Sequence, residues 1–170
     1  MSERSELAAS LGEAVPVTAR APMLMISERL PHFIDPVVGA AGRKLSFKQM
    51  QNGTLLIGGA HLAELDESRG HTEINWRKLA TSANSVLTLF PQLRDVRIVR
   101  TWAGIEAFLP DNLPVIGPSR TAEGVYHAFG FSAHGFQLSP AVGRVIADLV
   151  IDGTTDMPLA AFDIGRFTTN

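Results

Sequence analysis

Two stretches of the chain space their apolar residues for helices. In the first, Trp76, Leu79, Ala80, Ala83, Leu87 and Phe90 recur every three or four residues, which puts them on one helical face. Asn75 stands at its N-cap position and Pro91 where it must stop. The second stripe is Val142, Val145, Ile146, Leu149 and Val150. Ser139 and Pro140 suit its N-cap and first helical position, and Gly153 its C-terminal stop. A shorter helical spacing, Leu7, Ala8 and Leu11, ends at Gly12.

Strands show as alternation. Over residues 44–51, Leu45, Phe47 and Gln49 share one face and Ser46, Lys48 and Met50 the other. Residues 54–58 follow across Asn52-Gly53, a pair that supplies the positive φ angles of a type I′ turn, so a β-hairpin is predicted. Residues 15–17 and 23–26 read as strands separated by Arg20, Ala21 and Pro22. Over 96–107, Ile98, Arg100 and Trp102 alternate with Val99 and Thr101; Val115-Ile116 and residues 125–128 are shorter strands. Residues 28–43, with Pro31, Pro36, Gly39 and Gly42, read as an irregular connection, and the polar residues 60–74 as a surface loop. The pattern predicts an α+β chain.

Composition narrows the function classes. The 170 residues are 45% hydrophobic and 19% charged, enough to build a core and unlike a disordered chain. A net charge of −2 argues against a basic nucleic-acid surface. The absence of cysteine excludes disulfides, thiolate zinc sites, iron–sulfur clusters and a cysteine nucleophile, and fits a cytoplasmic protein. The first residues lack the basic start and apolar run of a signal peptide, and no apolar run is long enough for a membrane span. The histidines at 32, 61, 71, 127 and 134 form no H-x-x-x-H or H-x-H pair, so no metal site is expected.

The strand, glycine-rich turn and helix over 125–150 form the most suggestive local unit. A helix start offers free N–H groups and partial positive charge, and glycine lets a ligand approach the backbone. The same unit serves equally as an ordinary β–α connection packed by small residues. Gly130-Phe131-Ser132-Ala133-His134 has the first glycine and the serine of a nucleophile elbow, but His134 occupies the second glycine position; a serine hydrolase acting through Ser132 is the third reading. Gly39-Ala40-Ala41-Gly42 is no dinucleotide loop, because Val37 stands where the first glycine belongs. Arg100, Glu106 and Asp111 flank a strand with Trp102 and Phe108; such charges either orient a substrate or form structural ion pairs.

An ordered series of motifs now carries a resemblance. Arg100-Thr101-Trp102-Ala103-Gly104-Ile105, then residues 110–118 (Pro-Asp-Asn-Leu-Pro-Val-Ile-Gly-Pro), Gly124-Val125-Tyr126, residues 130–136 (Gly-Phe-Ser-Ala-His-Gly-Phe), Pro140-Ala141-Val142-Gly143 and Arg166-Phe167 resemble the C-terminal part of the FAD-dependent D-amino-acid oxidase family, over roughly residues 7–167. The run through Gln137 is similar to opine oxidase and D-hydroxyproline dehydrogenase type members, and the hairpin at 48–59 is similar to the family's substrate domain.

The resemblance implies FAD as cofactor and oxidation of the C–N bond of an amino acid or secondary amine by hydride transfer to the flavin. It implies that Gly130, Phe131, Ser132, Ala133, His134, Gly135, Phe136 and Gln137 contact flavin, largely through backbone groups, with Gly104 and Ile105 nearby. It places His134 and Glu106 toward the substrate as candidate catalytic residues. Glycine oxidase-like members carry a substrate-binding arginine where Glu106 stands, and some sarcosine oxidases hold flavin through a cysteine that this chain lacks. The implied architecture is a ragged segment over 1–14, an antiparallel substrate-domain sheet with a covering helix over 15–110, and over 111–170 the last strand and helix of an FAD-binding domain. That domain's N-terminal βαβ unit with G-x-G-x-x-G is absent. A protein partner or an N-terminal half would supply it. A non-catalytic remnant or interaction subunit that needs such a partner is the alternative.

Overall fold

The computed structural model describes residues 3–167. In chain order the elements are α1 (Glu3–Ser10), β1 (Thr18–Arg20), β2 (Met23–Arg29), β3 (Val38–Ala40), β4 (Arg43–Gln49), β5 (Thr54–Gly58), β6 (Glu64–Asp66), β7 (His71–Glu73), α2 (Trp76–Leu89), β8 (Ile98–Ala103), β9 (Glu106–Phe108), β10 (Val115–Pro118), β11 (Tyr126–Phe129) and α3 (Gly135–Asp152). The architecture is α+β, with every registered strand pair antiparallel. The chain divides into two compact units, one of Arg20–Ile105 and one of Met1–Ala19 with Glu106–Asn170.

The first unit is built on a five-stranded sheet in the order β3-β4-β5-β2-β8. Strict alternation on β4 buries Leu45, Phe47 and Gln49 and exposes Ser46 and Lys48. Met23 and Met25 from β2 and Leu55 and Ile57 from β5 fill the same face, which α2 covers with Leu79 and Val86. Asn75 caps α2, its side chain accepting from the Lys78 N–H at 3.0 Å. Trp76 and Ala80, predicted on this stripe, are exposed. Ser82 takes a buried place instead, donating to the Gly58 carbonyl at 3.2 Å. The buried Gln49 amide ties the 30–33 segment to the hairpin: it accepts from Phe33 N–H at 2.8 Å and donates to the carbonyls of Pro31 and Gly53.

Local chemistry corrects several expectations here. The β4–β5 hairpin is present, but Asn52 does not take a positive φ. The Gly53 N–H closes back on the Met50 carbonyl and only Gly53 is left-handed, at φ +89°, so the loop has three residues rather than two. A Cβ on Gly53 would sit 2.5 Å from the Leu30 carbonyl. Residues 60–74 are not all loop. They contain the β6–β7 hairpin, whose turn is fixed by Asp66 accepting from the Ser68 N–H and hydroxyl and from the Arg69 N–H. The irregular 28–43 connection includes the edge strand β3. Residues 15–17 are not a strand; β1 begins after Pro16, which lacks the N–H a ladder needs. The long strand expected over 96–107 breaks at Gly104-Ile105 into β8 and β9, which belong to different sheets.

In the second unit the β10–β11 ribbon has apolar residues on both sides. Val115 pairs with Phe129, and with Ala8, Val15, Leu109 and Ile164 they form one cluster. Ile116 faces α3 and packs with Val145 and Leu149. Val150, predicted on that stripe, is exposed. Helix α3 also starts earlier than Ser139-Pro140 predicts, at Gly135. Pro140 therefore lies inside the helix and cannot bond the Phe136 carbonyl. The Ser139 hydroxyl donates to that carbonyl instead, at 2.8 Å.

Candidate functional site

The turn that feeds α3 holds three left-handed residues within four positions. Gly130, Ser132 and Ala133 all have positive φ, at +73°, +49° and +71°. Gly130 is required twice over, since a Cβ there would also lie 2.5 Å from the Leu109 side chain. Two non-glycine residues in the left-handed region store strain, and Ser132 is the residue that holds them there. It is 3% exposed. Its N–H donates to the Ala107 carbonyl at 3.2 Å, and its hydroxyl accepts from the Leu109 N–H at 3.1 Å and donates to the Gly130 carbonyl at 3.2 Å. The turn is thereby tied to the strand that begins at Glu106.

This bonding also disposes of the nucleophile-elbow reading. The Ser132 hydroxyl proton and oxygen are committed to backbone groups, the Gly130 carbonyl and the Leu109 N–H. Its bonds are structural.

Past the turn, His134 is the N-cap of α3 with its side chain making no capping bond, and no acidic residue lies in the first helical turn. The His134 N–H closes on the Phe131 carbonyl at 2.9 Å. Helix geometry leaves the N–H groups of Gly135, Phe136 and Gln137 without intrahelical partners. Ala133, His134 and Gln137 are exposed, and the Phe136 side chain is 97% exposed. The result is a presented, uncapped N-terminus on an 18-residue helix, with positive character and donors directed outward. Glu106, at the start of β9, is exposed. Gly104 and Ile105 belong to the sheet unit and are exposed at the end of β8, where the Gly104 N–H bonds the Pro22 carbonyl.

A buried ionisable cluster braces the same unit, and no sequence motif announced it. Glu13 is 4% exposed. Its carboxylate accepts from the Ser119 hydroxyl at 2.6 Å, the Arg120 N–H at 2.7 Å and His127 Nε2 at 2.9 Å. Burial pushes its pKa up, but those hydrogen bonds and the histidine outweigh burial and lower it to about 2. Asp111 is likewise structural: its hydrogen bond from Arg166, at 2.8 Å, lowers its pKa against the opposing effect of burial. The other histidines are dispersed. His32 contacts Asp35, His71 lies on β7, and burial lowers the pKa of His61, reinforced by Lys44 and Lys78. Among the described residues no group of three His, Asp or Glu side chains could hold a metal ion, and no helix is long and apolar enough to cross a membrane.

Residues 4–149 match the family described as FAD dependent oxidoreductase (DAO). The chain belongs to that family. Among curated DAO-family relatives it is 29% identical to the hydrogen cyanide synthase subunit HcnC of Pseudomonas aeruginosa, covering 98% of this chain and 38% of the relative. It is 27% identical to a D-amino-acid oxidase of Bradyrhizobium diazoefficiens, covering 95% and 38%. The solved L-proline dehydrogenase from P. horikoshii superposes with a TM-score of 0.82 at 28% identity, covering 90% of this chain and 41% of that one. The DAO-family chain described here thus spans about two fifths of the length of these relatives, and it corresponds to their C-terminal portion.

The residues present suit part of a flavin. A helix N-terminus without an acidic or side-chain cap, reached through a turn whose backbone is held rigid, accepts a group that gains negative charge. The glycine fingerprint for an ADP moiety is not in this sequence.

Proposed function

We propose that this chain is the C-terminal portion of an FAD-dependent oxidoreductase that oxidises the C–N bond of an amino acid or secondary amine. The uncapped start of α3, presented by the Ser132-stapled turn, carries the reading. Bound FAD would supply the hydride acceptor. Residues 130–137 would lie along the flavin ring, with the N–H groups of Gly135, Phe136 and Gln137 stabilising negative charge at its pyrimidine end. Gly104 and Ile105 would contribute a backbone edge. His134 and Glu106 would face the substrate amine, Glu106 favouring its cationic form. In this assignment residues 15–110 hold the substrate and 111–170 complete the FAD-binding domain, while the dinucleotide fold comes from a partner or a preceding polypeptide. The lack of cysteine fits a cytoplasmic setting.

A second reading is a non-catalytic subunit that only associates with such a partner. It rests on the 38% coverage of the curated relatives. One titration separates the two. The purified chain is titrated with FAD while flavin fluorescence is followed, then sarcosine and D-amino acids are added without oxygen. Saturable quenching followed by amine-dependent bleaching supports the enzyme reading. Quenching without bleaching by any amine favours the subunit reading, and no quenching overturns flavin binding by this chain.

A further inference from the structure

Between α2 and the sheet the packing leaves a cavity of about 190 Å³. Leu55 and Ile57 of β5 and Val86 of α2 line its inner part, and all three are buried. Residues 79, 83 and 86 stand three or four apart and share one face of α2. Leu79 and Val86 fill their places beneath the helix, whereas Ala83 brings only a methyl group and leaves the space. Ile98, which is 42% exposed, and the exposed Arg94 line the cavity where it meets solvent. All of these residues belong to the unit of Arg20–Ile105.

The lining says what the cavity can hold. A trapped water needs two to four polar partners, and Arg94 is the one polar side chain here. An apolar cavity of about 150 Å³ stays dry and takes a benzene ring. This larger one suits a ring or chain of about six to eight carbons. Arg94 adds a charge at the opening. Its N–H closes on the Pro91 carbonyl at 3.3 Å, and among the described residues its guanidinium has no hydrogen bond or ion pair. Asp95, next in the chain, does not line the cavity. The guanidinium is thus left with a fork of N–H donors that matches a carboxylate.

We propose that this cavity binds a small apolar carboxylic acid, its hydrocarbon part against Leu55, Ile57 and Val86 and its carboxylate on Arg94. The site lies in a different unit from the turn that feeds α3, so it does not rest on the flavin reading.

The test uses octanoate and its uncharged counterpart octanamide on the full 170-residue chain. Calorimetric titration gives the two affinities, and methyl NMR shifts locate the bound probe. Octanoate should saturate and shift the methyl groups of Leu55, Ile57, Val86 and Ile98. It should bind about threefold more tightly than the amide, a modest ratio because Arg94 is exposed. Arg94→Gln should make the two equal. Ala83→Leu fills the space with a good helix former and should weaken both probes at least tenfold. Ile98→Trp should do the same by closing the opening, where a half-exposed position accepts a larger side chain. Melting curves show that each variant folds. No saturable binding of octanoate, methyl shifts centred elsewhere, equal affinity for acid and amide in the parent chain, or full affinity in folded Ala83→Leu and Ile98→Trp overturns the inference. A failed octanoate titration beside intact FAD binding removes this site alone.

Discussion

The Ser132 hydroxyl accepts the Leu109 N–H at 3.1 Å, across 23 residues of chain. Both groups are buried, so this bond holds the left-handed turn before α3 against the strand that starts at Glu106. Ser132→Ala leaves the Leu109 N–H buried without a partner. The expected loss is about 1–3 kcal/mol, read as a lower urea midpoint with an unchanged slope. Flavin affinity should fall with it, since the turn presents the helix start. Were Ser132 a nucleophile, the substitution would instead abolish an esterase activity in a protein of unaltered stability.

Glu13 makes the fold acid-sensitive in a defined direction. Its pKa is lowered from 4.5 to about 2 in the folded chain, so it stabilises the fold fully above about pH 4.5, and that contribution fades as pH falls toward 2. Linkage puts it at about 3 kcal/mol. Urea midpoints measured from pH 7 down to pH 2.5 should therefore drop steeply below pH 4.5. Glu13→Gln should start less stable at pH 7 and lose most of that slope.

Inside α3, Ser139 and Pro140 act as a pair. Pro140 removes a helical hydrogen bond and the Ser139 hydroxyl takes the carbonyl left over. Ser139→Ala alone should cost about 1 kcal/mol. In a Pro140→Ala background the restored N–H serves that carbonyl, and the same Ser139→Ala change should cost almost nothing. A double-mutant cycle in thermal melts measures the coupling.

Much of this was legible in the sequence where one local rule dominated. Asn75 caps α2 as its position demands, and the alternation over 45–49 states which side of β4 is buried. Helix α3 starts earlier than the local signal of Ser139-Pro140, because the turn at 130–134 already delivers the chain in helical direction at Gly135. The β6–β7 hairpin carries no such signal because its strands are three residues each and Leu65 is the one apolar residue on them. Glu13 was invisible for a different reason. Its partners Ser119 and His127 lie 106 and 114 residues away, and nothing local marks a carboxylate for burial. The presented helix start was visible as a glycine turn before a helix, but not the serine staple that fixes it.

Gln49 offers a test of the sheet unit. It is polar and buried, and its amide serves Phe33, Pro31 and Gly53. Gln49→Leu keeps the volume and strands those backbone groups, at an expected cost of about 3 kcal/mol. The Phe33 amide should lose its protection against hydrogen exchange before the rest of the sheet does.

In the proposed function the N-terminus of α3 receives the flavin. Its most direct test is the melting temperature of the chain with and without FAD, beside that of Phe136→Asp. Phe136 is almost fully exposed, and an acid in the first turn favours a helix, so the variant should fold at least as well as the parent. A ligand that binds only the folded state raises the melting temperature. The melting temperature should rise clearly for the parent chain and not at all for Phe136→Asp, whose carboxylate repels the charge the helix start would hold. No rise in the parent, or an equal rise in both, would contradict that placement.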